Sequence, residues 1–308
     1  MKIRKLKTEN IAVAGVIEAL LLVALVAVVL SYIQFSYIPV IMEEREAGHM
    51  DQVSNQFSQL KSVIEIQSMM GILGTGESIT FTPMSSPITM GSKELPYFVS
   101  ARSYGQIDLI DNNDAGNHKI DIIPASPDFP SGIPLTSIKF RATNFYFPKD
   151  SPWQEYILEG GGIILKQSTG EVMRVNPGIA VENHSDSNYI TIKYFIPLFT
   201  GVSGKKAYAD YRESFIHTNY SNDYSHQGSA TYFRIYTDYP EAWNQSLINE
   251  SRGILWEYYN NGYIDVQLDD TTTPNRVVIT PKPGYTLYLD LTIVEIRVQV
   301  GPGYIVNP

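Results

Sequence analysis

Residues 11–33 read IAVAGVIEALLLVALVAVVLSYI, and residues 34–70 continue QFSYIPVIMEEREAGHMDQVSNQFSQLKSVIEIQSMM. The first run holds one charge, Glu18, and as a helix it spans roughly 34 Å, enough to cross a hydrocarbon core of about 30 Å. Lys2, Arg4, Lys5 and Lys7 precede it, whereas Glu43, Glu44, Glu46 and Asp51 follow with a lone Arg45. The positive-inside bias therefore predicts a single-pass membrane protein with its N-terminus in the cytoplasm and the remainder of the chain outside the cell. A cleaved secretory signal is the alternative. The apolar core exceeds the usual h-region length, however, and no A-x-A sequence closes it.

Beyond the span, Pro39 predicts a kink, because it removes a backbone donor and crowds the preceding turn. Apolar residues then recur at Met50, Val53, Phe57, Leu60 and Ile64, in the alternating steps of a heptad stripe. Polar residues occupy the positions between, and Gly71, Gly74 and Gly76 supply a stop. The predicted segments are a basic leader over 1–10, a transmembrane helix over 11–35, an amphipathic stalk over 36–75 and an exterior domain over 76–308. As a seam between helices of neighbouring subunits, the stripe predicts that Met50→Asp with Phe57→Asp abolishes oligomers and leaves the exterior domain folded.

That domain is predicted to be an antiparallel, sandwich-like β structure carrying one short helix, which makes the fold mainly β behind a long N-terminal helix. Period-2 alternation appears at 78–82, 138–143 and 190–196. Breakers separate these runs, at Ser85–Pro87, Asp111–Gly116, Pro124–Pro134, Pro148–Pro152 and Asn176–Gly178. In the last run, Leu287, Leu289, Leu291 and Ile293 share one phase, and Val294, Ile296, Val298 and Val300 the other. This switch predicts a bulge or a strand passing between sheets. Pro240 opens a predicted helix that carries Trp243, Leu247, Ile248, Ile254, Leu255 and Tyr258 to Asn260. With no long linker or composition break, residues 76–308 read as one domain.

The chain of 308 residues has a net charge of −9 and no cysteine. The leader contributes +3, leaving −12 beyond residue 10, which argues against nucleic acid or an anionic membrane surface as partner. Disulfides and cysteine zinc sites are excluded. The five histidines, at 49, 118, 184, 217 and 226, show no metal-ligand spacing. No nucleophile elbow or phosphate loop occurs, and no cofactor, metal or catalytic residue is expected. Gly160–Gly162 lies within a strand-like run and predicts a bulge or a close backbone approach. Asp111, Asn113 and Asp114 resemble the start of a calcium loop. Ala115 and Ile122 then stand where ligands belong, which favours a plain Asx-rich turn. Asp265, Asp269 and Asp270 read as solvated loop charges, although a tethered hydrolase could use such carboxylates.

Four N-x-[ST] sequons, at Asn183, Asn219, Asn244 and Asn249, are candidate glycosylation acceptors. Tyr208, Tyr211, Tyr220 and Tyr224, in a polar stretch, are half-buried sheet residues on the favoured reading and candidate ligand-contact aromatics on the alternative. Glu18 is the most informative single residue. A carboxylate inside an apolar span costs about 2.5–3.5 kcal/mol on insertion scales, so it either faces a partner or snorkels to the cytoplasmic interface.

A basic leader, an apolar helix with a glutamate near its start, an amphipathic continuation and a C-terminal β domain together resemble archaeal type IV pilin-like secreted proteins. The resemblance is specific over about residues 8–70. It implies trimming of the leader by a prepilin peptidase, bundling of the helices with copies or related pilin-like subunits, and pairing of Glu18 with an N-terminal ammonium. A cut between Val13 and Ala14 would place Glu18 fifth, whereas a cut nearer Asn10 would not. The implied function is a non-enzymatic surface protein whose β domain is displayed for adhesion or surface contact. The alternative is a monomeric anchored β domain that binds a soluble ligand such as a glycan.

Overall fold

The computed structural model describes residues 4–74, 82–92, 103–123, 132–147, 153–183 and 188–305. The strand expected at 78–82 and the proline-rich stretches 124–131 and 148–152 fall largely or wholly outside them, as does His184.

Helix α1 (Arg4–Tyr32) passes through one π-turn, Ile33–Tyr37, into α2 (Ile38–Gly74). Pro39 does not stop the helix. Its ring would crowd the carbonyl four residues back, and the widened turn, in which the Ile38 N–H donates to the Ile33 carbonyl, takes up that crowding.

The strands are β1 (Met84–Thr89), β2 (Tyr104–Ile110), β3 (Lys119–Ile123), β4 (Ile133–Pro134), β5 (Ser137–Thr143), β6 (Trp153–Glu159), β7 (Gly162–Gln167), β8 (Gly170–Val175), β9 (Ile179–Asn183), β10 (Tyr189–Gly201), β11 (Ala207–Asp210), β12 (Glu213–Ala230), β13 (Tyr232–Thr237), β14 (Ile264–Asp269), β15 (Asn275–Pro281) and β16 (Thr286–Val300). Among the described residues they form three sheets: β1-β12-β16-β10-β9, β11-β2-β5-β6-β7-β8 and β14-β15-β13-β3-β4. Pairing is antiparallel except between β10 and β16, which run parallel from Tyr189↔Thr286 to Gly201↔Val298. The fold is thus a long N-terminal helix followed by a mostly antiparallel β domain.

The phase switch in β16 has a direct structural meaning. Leu287, Leu289, Leu291 and Ile293 bury into one core, with Trp243 and the β13–β15 strands, whereas Val294, Ile296, Val298 and Val300 bury into a second, with α2. Both ends of the strand are apolar, but on opposite faces, because a different layer covers each. Strand β12 follows the switch through a bulge at Tyr220/Asn222, which moves its even-numbered residues from pairing with Ile296 to pairing with Ile293 and Leu291. The expected single domain therefore contains two buried clusters joined by β10 and β16.

Two local expectations change. Gly160 and Gly161, with φ of 54° and 77°, form the two-residue turn that splits the run into β6 and β7. The close approach is real as well, since a Cβ at Gly160 would overlap the Tyr194 hydroxyl. The single expected helix is two, α3 (Pro240–Ile248) and α4 (Trp256–Asn260). Asn249 leaves the helix at ψ 131°, its side chain accepts the Ser251 N–H, and Gly253 folds back so closely on Asn249 that a Cβ would collide with its backbone. The polar tyrosine-rich stretch holds strands β11 and β12, and the apolar positions Ile216 and Tyr220 of β12 face α2.

Candidate functional site

The two halves of the long helix differ completely. From Val13 to Tyr32 every residue is exposed, with Ile17 at 52%, Leu21 at 66% and Val28 at 67%. Phe35 and Tyr37 are also open. No side of this segment touches the β domain, and it is long and apolar enough to cross a membrane. Glu18 sits in it, exposed among Val16, Ile17, Leu20 and Leu21.

The second half is consumed by the protein's own fold. Met50, Val53, Phe57, Leu60 and Ile64 are 0–3% exposed and pack on Ile107, Phe140, Tyr156, Val294 and their neighbours. Phe57 meets Phe140 edge-on at 6.4 Å and lies 6.0 Å from Tyr156. This corrects the intermolecular seam. A heptad stripe states that a helix face is covered, not by what, and here the cover is the chain's own sheets. Burying each such side chain contributes about 1.5–3 kcal/mol.

Polar contacts fix the docking. Glu46, fully buried, accepts the backbone N–H groups of Phe145, Tyr146 and Phe147 at 2.9, 2.6 and 2.8 Å. A carboxylate satisfied this way tolerates burial, and it ties the β5 exit loop to the helix. His49 lies at 2.7 Å from the Thr89 carbonyl, and burial pushes its pKa below the ordinary value despite that contact. Gln56 bonds Thr89 through both amide atoms. At the far end, a methyl at Gly71 would overlap the Tyr220 ring, so that glycine is where β12 comes closest to the helix.

The four tyrosines differ in their surroundings. Tyr220 is 9% exposed, packed on α2, and donates to Asp223. Tyr208 lies against Gly301 and donates to Asp210 at 3.0 Å. Tyr211 stacks with Arg212, and Tyr224, 43% exposed, accepts from Asn222. Of the sequons, Asn249 is exposed after α3, whereas Asn219 in β12 and Asn244 in α3 are half-buried with each Oδ1 shut from solvent. Asn183 ends β9, and its side chain is outside the described residues.

The calcium-like loop is an Asx turn. The Asp111 carboxylate, 1% exposed, accepts the Asn113 and Gly201 N–H groups, and Lys206 Nζ stands 2.7 Å from it and 2.8 Å from Asp114. Burial alone would raise the Asp111 carboxyl, but Lys206 and those amides outweigh it and hold the pKa below its ordinary value. A lysine ammonium therefore occupies the place of a cation. Asp265 pairs with Lys282 at 3.2 Å, and Asp269 with Arg276 at 2.6 Å. The Thr271 hydroxyl and amide, with Arg276, push Asp269 down to about 2. Among the described residues no group of three His, Cys, Asp or Glu is placed to hold a metal.

Sequence reasoning passed over two groups. Glu159 is buried at the end of β6, where it accepts from Thr237 Oγ1 at 2.6 Å and Trp243 Nε1 at 2.9 Å, and burial raises its pKa in spite of those bonds. The second is a groove of about 310 Å3 between β8 and α3, lined by Arg174, Asn176, Gln245, Asn249 and Arg252. Only spatial proximity joins its residues, so no motif announces it.

Comparison with protein-family models, with curated proteins and with solved structures finds no match.

Proposed function

We propose that this chain is a non-enzymatic cell-surface subunit of the type IV pilin-like kind. Its N-terminal helix anchors in the membrane and bundles with copies or related subunits, and its β domain stands outside the cell for adhesion or surface contact. One observation carries the reading: the helix is exposed on all sides through its apolar half and buried along one face of its amphipathic half. Lipid or neighbouring helices must cover the first half, because water is a poor solvent for that much apolar surface. Bundling through residues 13–37 replaces the seam read at 50–64, and Glu18 is the polar group in the bundle that calls for a partner.

The absence of cysteine gives a clean test. Single cysteines placed at successive positions from Val13 to Tyr37 are oxidised in native membranes, and disulfide dimers are scored. Bundling predicts crosslinks that recur every three to four positions and weaken in a Glu18→Leu background. Uniformly absent crosslinks would leave a monomeric anchor. N-terminal sequencing of the same material fixes whether a prepilin peptidase has acted.

A further inference from the structure

We propose that the groove between β8 and α3 is a binding site for a carboxylate-bearing saccharide such as a uronic acid. The groove, about 310 Å3, has a size suited to one sugar residue. Its charge runs against the chain's. In a protein of net charge −9, Arg174 and Arg252 both line it, and neither has an ion-pair partner among the described residues. Two arginines lining one cavity suit an anion with paired oxygens, which a carboxylate supplies.

The remaining groups argue for hydroxyls on that anion. Asn176 Oδ1 is engaged by the Ser246 hydroxyl at 3.0 Å, while its Nδ2 makes only a 3.5 Å contact with the Arg252 carbonyl. Asn249 Oδ1 is taken by the Ser251 N–H, which leaves its Nδ2 as a donor. The exposed Gln245 amide presents both a donor and an acceptor. The Gln245 acceptor matches a sugar hydroxyl, which donates as well as accepts, whereas inorganic phosphate or sulfate offers mainly acceptors to the two Nδ2 donors. Val172, Met173 and Val175 give an apolar wall for a pyranose C–H face. None of the tyrosines singled out in the sequence lines the groove, so this site is separate from them and independent of helix bundling.

The full chain in detergent micelles is titrated calorimetrically with glucuronate and galacturonate, with glucose, acetate and sulfate as comparators. Uronate binding is expected, absent for glucose and weaker for acetate and sulfate. Arg174→Gln with Arg252→Gln should weaken it at least about tenfold, and Gln245→Ala by a smaller factor. Arg212→Gln, at an exposed arginine outside the groove, should leave it unchanged. All three positions are exposed, and unchanged thermal unfolding of the variants confirms that their folds are intact. No uronate binding, or acetate and sulfate binding as tightly as uronate, overturns the proposal. So does a glycan found on Asn249 by peptide mapping, since that sugar would itself fill the groove.

Discussion

Replacing Phe57 with Ala separates a stalk from a structural helix. On a stalk, Phe57 would contribute to contacts between subunits, and its loss would leave the β domain untouched. In the structure it is fully buried between Phe140 and Tyr156, so its removal opens a cavity inside the second core. Phe→Ala at such a site costs about 3–5 kcal/mol, a large share of the roughly 5–15 kcal/mol that holds a domain folded. For a domain of this size the midpoint should fall by roughly 6–20 °C. The assay is thermal unfolding of the detergent-solubilised chain, followed by near-ultraviolet circular dichroism, which reports aromatic packing in the β domain. Gln59→Ala, on the exposed face of the same helix, is the control and should stay within about 0.5 kcal/mol. A loss below about 1 kcal/mol for Phe57→Ala, with the aromatic signal intact, would refute the argument that helix and β domain share a core.

Gly71→Ala should destabilise by forcing the Tyr220 ring away, and Tyr220→Ala in the same chain should recover part of the loss, giving a coupling of about 0.5–3 kcal/mol in a double-mutant cycle. Glu46→Ala should cost at least about 3 kcal/mol by stranding the three loop N–H groups, and hydrogen exchange at Phe145–Phe147 should accelerate. Burial raises the folded pKa of Glu159 above 4.5, so its contribution is fully present below the unfolded value and is lost as pH rises through the folded one; Glu159→Gln should remove that segment of a stability–pH profile. His118 lies 2.9 Å from Asp238, and this contact raises the imidazole pKa and lowers the carboxyl pKa. The pair should stabilise most between the two values, weakening above 6.5 as the imidazole deprotonates and below 3.8 as the carboxylate protonates. An NMR titration of the His118 ring should lose its upward shift in Asp238→Asn.

Much of this architecture was legible because it is written in local periods. The apolar run 11–33, the stripe 50–64 and the phase switch at Ile293–Val294 each state which face is covered, and each face is covered or, for the first, left open throughout. What covers a face is not local. The docking of α2 on β1 and β12, the pairing of β3 with β13 over more than a hundred residues, and the meeting of Arg174 with Arg252 depend on contacts that leave no mark on neighbouring positions. The break after α3 was missed for a related reason. Ile254 and Leu255 bury from a turn as well as they would from a helix, and the deciding event is the Gly253–Asn249 contact.

The continuous register between β10 and β16 bears on how the protein carries load. On the proposed surface role, a pull on the outer face of the β domain is resisted by the anchored helix. That tension enters the β domain where α2 packs on β1 and β12. Strands β16 and β10, which are paired over their full common length and serve both clusters, carry it toward the far core alongside β6 and β7. Pulled along their axes, these strands share the load across many hydrogen bonds in shear, rather than opening one pair at a time from an end. The same geometry that makes the last strand apolar on alternate faces also makes it a tie rod between the two halves of the domain.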